Sequence, residues 1–136
     1  MFRHMVIAAG DREIVARMRL DRITLGGEVA DYDSKTRCCG FPIILAREEV
    51  ALKESHVALA GARDAGAQVM VTPCPLCHLA MDAYQRKTEQ LMGEEYAMPV
   101  LHLPQLIGLA LGLPTTTMEF KRHLVPVDDV LATVGA

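Results

Sequence analysis

The sequence predicts an α/β fold: a small three-layer domain with a short parallel sheet built from βαβ units. Three observations predict it. Strand-like and helix-like segments alternate along the chain. The segment QVMVT at 68–72 is apolar enough to be a strand buried on both faces. The chain has 136 residues, the size of one domain with one ordinary core.

The elements follow in order. Residues 11–25, DREIVARMRLDRITL, space Ile14, Met18 and Ile23 at a loose helical period, and Gly26-Gly27 ends that helix. Residues 28–32, EVADY, read as a short strand with Val29 pointing inward, and 33–40, DSKTRCCG, as a loop. A long helix is expected from Pro42 to Ala65, with Leu45, Leu52 and Leu59 on one face. Small Ala51, Ala58 and Ala62 let it lie close against a sheet, and Gly66 stops it. After strand 68–72, PCPLCH leads directly into a helix over 75–91. MPVLH at 98–102 is a further strand, and Pro104 opens a helix over 104–112. The tail EFKRHLVPVDDVLATVG holds an extended segment and a last helical turn.

Composition excludes several functions. Apolar residues make up 51% of the chain, too many for intrinsic disorder. The formal net charge is −3 and aromatics are 4% with no Trp, so neither a basic stripe nor a base-stacking platform for nucleic acid is expected. No apolar run reaches the roughly 18–20 residues of a membrane span. The N-terminal MFRHMVIAAGDREIV is too short in its apolar part for a signal peptide, so a cytoplasmic protein is expected.

The chemistry concentrates in Cys38, Cys39, Cys74 and Cys77, which fall in two clusters, CCG and CPLC. Such paired clusters in a cytosolic α/β pattern point to metal binding or redox work rather than to a disulfide framework. Both clusters follow predicted strands, at the carboxyl edge where open parallel sheets bind ligands. A C-x-x-C turn aims two thiolates at one metal or cluster, and Pro73 and Pro75 stiffen this one. Its position at a helix start stabilises thiolate. Gly40 permits a positive φ or a close approach to a bulky ligand. Vicinal cysteines ligate different atoms of a polynuclear cluster more easily than one tetrahedral ion. A thioredoxin-type dithiol explains CPLC and leaves CCG unexplained.

CCG, then 33 residues from Phe41 to Pro73, then C-x-x-C, resembles the latter part of the cysteine-rich CCG domain. That domain occurs in the B-type subunit of heterodisulfide reductase, in iron–sulfur subunits of glycolate and lactate oxidation and in thiol-dependent fumarate reductases. VTPCPLCHLAMDAYQ, LHLPQLIGLALGL and KRHLVPV are most similar to the heterodisulfide reductase branch. The resemblance implies a non-cubane iron–sulfur cluster of the 4Fe-4S type, held in the family by five cysteines. Cys38, Cys39, Cys74 and Cys77 correspond to four of them. The fifth lies upstream in the family, where this chain reads MFRHM. The chain thus resembles one CCG domain, residues 1–136, the C-terminal half of that B-type subunit cut after its first ligand. Two other accounts stay open: His4 replaces the ligand, or the four cysteines hold a simpler centre such as zinc or a cubane cluster. The implied function is an iron–sulfur subunit or fragment that carries electrons to or from a thiol or disulfide substrate, an oxidoreductase component not active alone. The alternatives are a structural zinc domain and a degenerate interaction scaffold.

His78 follows Cys77 and is the candidate catalytic residue, placed to donate a proton or hydrogen-bond a sulfur. His102 ends a strand on the same edge, His56 reads as a packing residue, and His123 receives no role. Lys35 and Arg37 flank the vicinal pair, where surface solvation is the simpler role than offsetting cluster charge. The helix 104–112 is apolar nearly all round and needs cover on every face. Its expected partners are other heterodisulfide-reductase-like subunits, the missing N-terminal half, or a copy of itself.

Overall fold

The computed structural model describes residues 29–134 together with the backbone of residues 5–7. Its centre is a parallel sheet of three strands: β1 (Met5–Ile7), β2 (Val69–Thr72) and β3 (Val100–His102), in the order β1-β2-β3. Val6 sits opposite Met70, which in turn faces Val100. All four residues of β2 are buried, as a central strand covered on both faces requires.

Alternation along β2 divides two cores. Val69 and Val71 pack with Leu101, Leu106, Phe120 and Val127 on one face. Met70 packs with Val100, Ala58, Leu59, Ala80 and Met81 on the other. The second layer holds α1 (Glu48–Asp64) and α2 (Pro75–Asp82), and α3 (Gln85–Met92) packs against α1. The first holds α4 (Leu103–Ala110), the tail and α5 (Asp128–Val134). The result is the expected small three-layer α/β domain.

Several expected elements differ in detail. The strand expected over 28–32 does not form over its described residues 29–32, where only Val29 makes a single bridge. The strand beside β2 is β1 instead. The segment after Val29 is tied to α1 rather than to the sheet, because Ser34 Oγ donates to Val57 O at 2.9 Å, and residues Asp33–Thr36 coil into a 3-10 helix. The helix expected over 11–25, with its Gly26-Gly27 stop, lies outside the described residues.

The long helix begins at Glu48, not Pro42. Phe41–Ile43 form a separate 3-10 turn, so Leu45 leaves the helical period and stands 97% exposed. Leu52 and Leu59 are buried, with Ala51, Ala58 and Ala62. At the other end Gly66 adopts φ +75°, Ala67 N–H donates to Ala62 O at 3.0 Å and Gly66 N–H to Arg63 O at 2.9 Å, the paired bonds of a Schellman stop.

The helix expected over 75–91 is two helices. Buried Gln85 Nε2 donates to Met81 O at 2.6 Å, the carbonyl an unbroken helix would give to Gln85 N–H. The same amide bridges to Met98 O at 2.9 Å and receives Met98 N–H at 2.7 Å. The chain therefore turns at Ala83–Tyr84, and α3 leaves at a new angle.

Candidate metal centre

The two cysteine clusters meet across α1 and α2. The vicinal pair reaches its place through α1: Ser55 Oγ, buried on that helix, donates to Cys39 O at 2.8 Å. Gly40 has φ +81°, and a Cβ there would lie 2.6 Å from Ala51 O. Both demands require glycine. The close approach foreseen for Gly40 is thus to the backbone of α1.

Cys74 caps α2, with Pro75 as its first residue. Thr72 at the end of β2 fixes this turn, its Oγ1 receiving Cys74 N–H at 3.2 Å. Cys77 lies in the first turn of α2.

The thiols run in a chain. Cys38 contacts Cys39, Cys39 contacts Cys77, and Cys77 contacts Cys74. Cys38 is exposed, Cys74 half-buried, Cys39 and Cys77 buried. Cys77 thus touches both Cys39 and Cys74. Backbone N–H groups attend the vicinal pair, Gly40 N–H at 3.5 Å from Cys38 Sγ and Phe41 N–H at Cys39.

Cys39 and Cys77 titrate as a pair. The Cys77 thiol draws Cys39 down to about 6, against burial and with help from Phe41 N–H and the Cys38 thiol. The same contact, followed by burial, pushes Cys77 up. The first proton of the pair leaves more readily than from an isolated thiol, and the second is held. Four soft sulfur donors, two of them with backbone N–H groups directed at them, fit a thiophilic metal or an iron–sulfur cluster.

Histidines that the sequence treated separately come together beside this rim. His78 stacks on His102 with ring centroids 3.9 Å apart, and His123 meets His78 edge-on at 4.8 Å. His78 Nε2 lies 3.0 Å from Val100 O. A carbonyl only accepts, so that nitrogen carries the proton, which is committed away from the sulfurs. Burial, then the neighbouring His102 and His123, lowers His78 to about 4. His102 caps α4, and Gln105 Oε1 receives its N–H at 2.9 Å. His123 arrives on the tail, where Asp82 of α2 receives Leu124 N–H and Val125 N–H, each at 2.9 Å. This group was missed because its members are spread from residue 78 to 123. Apart from the string KRHLVPV, no local signal marks His123.

His56 packs as expected, its Nδ1 2.5 Å from Tyr96 Oη. Lys35 pairs with Asp31, and Arg37 with Glu54 at 2.9 Å. His4 lies outside the described residues.

Fold and site together define a small α/β domain that gathers four thiols at the carboxyl edge of a parallel sheet. The chain belongs to the CCG cysteine-rich domain family, which it matches over residues 15–82. It is 35% identical over 101 residues to the 8-methylmenaquinol:fumarate reductase membrane anchor subunit of Wolinella succinogenes, covering 74% of this chain and 36% of that one. It is 32% identical over 111 residues to the B-type subunit of the ferredoxin/F(420)H(2)-dependent CoB-CoM heterodisulfide reductase of Methanosarcina acetivorans, covering 80% of this chain and 37% of that one. The chain therefore spans little more than a third of these relatives, which are subunits of redox enzymes. A crystal structure of a hypothetical protein from Helicobacter pylori shares the fold, with a TM-score of 0.76 at 16% identity over 93% of this chain and 24% of that one. Among the described residues no helix is long and apolar enough to cross a membrane.

Proposed function

We propose that this chain is a single cysteine-rich domain, half of a two-domain unit like the B-type subunit of heterodisulfide reductase, and that Cys38, Cys39, Cys74 and Cys77 hold an iron–sulfur cluster of the non-cubane 4Fe-4S type. When bound, that cluster takes up and passes on electrons in exchange with a thiol or disulfide substrate. The observation that carries the reading is the run of thiol contacts from exposed Cys38 to half-buried Cys74, with buried Cys39 and Cys77 between them.

The chain's own residues do the rest. The α1 helix fixes the vicinal pair through Ser55 and the glycine contact at Ala51, while Thr72 and Pro75 fix the other pair. Exposed Ile43 lies on the turn after the vicinal pair and exposed Leu76 between Cys74 and Cys77, so both sulfur-bearing segments carry an exposed apolar side chain. The face of Ile107, Leu111 and Leu113, also exposed, is the proposed contact with a partner subunit.

Anaerobic purification followed by iron and acid-labile sulfide analysis and electron paramagnetic resonance tests the proposal. Iron and sulfide in comparable amounts, with a cluster signal on oxidation or reduction, support it. Protein that stays colourless and iron-free after anaerobic reconstitution overturns it, and stoichiometric zinc without redox activity assigns the sulfurs to a structural ion instead.

A further inference from the structure

We propose that His78, Asp82 and His123 form a second cation site, separate from the sulfurs, for one divalent transition-metal ion of the zinc or cobalt class. Their ligand atoms lie within 4.8 Å of one another. Ligand atoms about 2 Å from a tetrahedral ion stand about 3.3 Å apart, so loading asks for a contraction of up to about 1.5 Å. Two imidazoles and one carboxylate are a donor set that divalent zinc, cobalt and iron accept.

Each ligand is oriented by an outer partner, as ligands of metal sites are. Val100 O holds the His78 Nε2 proton, which leaves Nδ1 with its lone pair free. Asp82 is buried, and each carboxylate oxygen receives one backbone N–H, from Leu124 or Val125, keeping a lone pair over. His123 Nε2 lies 2.9 Å from Gln105 Nε2, while its Nδ1 is buried without a hydrogen-bond partner. Gln105 Oε1 receives His102 N–H and its nitrogen donates to Met118 O at 2.8 Å, so the amide nitrogen faces His123 and the His123 proton sits on the orphaned Nδ1. Ligation at Nδ1 removes that orphan. The proton then moves to Nε2, and for the Gln105 amide to receive it the side chain must give up its bonds to His102 N–H and Met118 O, a rearrangement that loading has to offset.

The site stands or falls independently of the sulfur centre, and cobalt separates them. The reduced full chain is titrated anaerobically with Co2+. Cobalt on thiolate shows a near-ultraviolet sulfur-to-metal charge-transfer band, and cobalt on imidazole and carboxylate does not. The expected result is one further equivalent of tightly bound cobalt without the sulfur band. His123→Phe, which keeps a ring in the stack, should lose that equivalent and keep the sulfur-bound cobalt, and Cys39→Ser should do the reverse. Asp82→Asn supplies a second variant should His123→Phe fail to fold. The proposal is overturned if all bound cobalt carries the sulfur band, or if the band-free equivalent survives in a folded His123→Phe or Asp82→Asn protein.

Discussion

Cys77 and His78 are adjacent on one helix yet belong to two differently made regions. A step of about 100° around α2 sends Cys77 toward the vicinal pair held by α1, and His78 toward β3 and the tail. The sulfur rim is assembled from two short motifs, each completed within four residues and each locked by one neighbouring helix or strand. The imidazole cluster is assembled from single residues of α2, the end of β3 and the tail. It depends on Asp82 holding the chain at Leu124 and Val125. Local motifs make the first region robust to changes in the tail, and long-range docking makes the second sensitive to them.

The largest expected effect lies in the sulfurs. Cys39→Ser or Cys77→Ser removes a middle member of the thiol chain, and anaerobic iron loading should fall to near zero while the imidazole side is unaffected. Gly40→Ala should act on the same region through the backbone. A left-handed φ and a 2.6 Å approach to Ala51 O together should lower stability by about 2–4 kcal/mol in a denaturant melt, with iron loading reduced in the protein that remains folded.

This contrast also sets what the sequence makes legible. CCG and CPLC can be read because each packs its donors within a span that one turn determines. Val69–Thr72 and Val100–His102 can be read because buried parallel strands are short apolar runs. Leu45 could not be placed, because the 3-10 turn at Phe41–Ile43 interrupts a pattern whose apolar spacing continues through it. The break at Ala83–Tyr84 was hidden because it arises from Gln85 bonding to Met98, a contact across thirteen residues. His123 carried no signal because its neighbours are fixed by a carboxylate forty-one residues earlier in the chain, Asp82.

The next effect belongs to that carboxylate. Asp82→Ala leaves Leu124 N–H and Val125 N–H without their acceptor, and a loss of about 1–3 kcal/mol is expected. Hydrogen exchange at residues 123–127 should rise well before exchange in β2. Uniform exchange across both would make the two regions one cooperative unit and end the distinction drawn above.

Acid should separate the regions more gently. His78 is held at about 4 in the folded chain against 6.5 in the unfolded one, with His102 and His123 lowered as well. Between these values the unfolded chain binds more protons, so stability is fully present above about pH 6.5 and is lost as pH falls toward about 4. Urea midpoints of the metal-free protein across this window should show the decline, and His78→Phe should flatten it. An unchanged slope in that variant would place the titrating group elsewhere.

The smallest effect concerns charge beside the sulfurs. Arg37 stands one residue before the vicinal pair, and its guanidinium is engaged by Glu54 at 2.9 Å on a largely exposed surface. Such a pair contributes about 0.5 kcal/mol, and Arg37→Gln should change stability by no more than this. Its effect on the centre should be slight for the same reason: the positive charge is already answered by Glu54, and solvent screens what is left. Iron loading should be unchanged, with the reduction potential drifting downward as the Glu54 carboxylate loses its partner. A large fall in iron loading in Arg37→Gln would show that the guanidinium leaves Glu54 when the sulfurs are metallated. The sulfur rim would then draw on a charged side chain outside its two motifs and would resemble the imidazole side in depending on longer-range contacts.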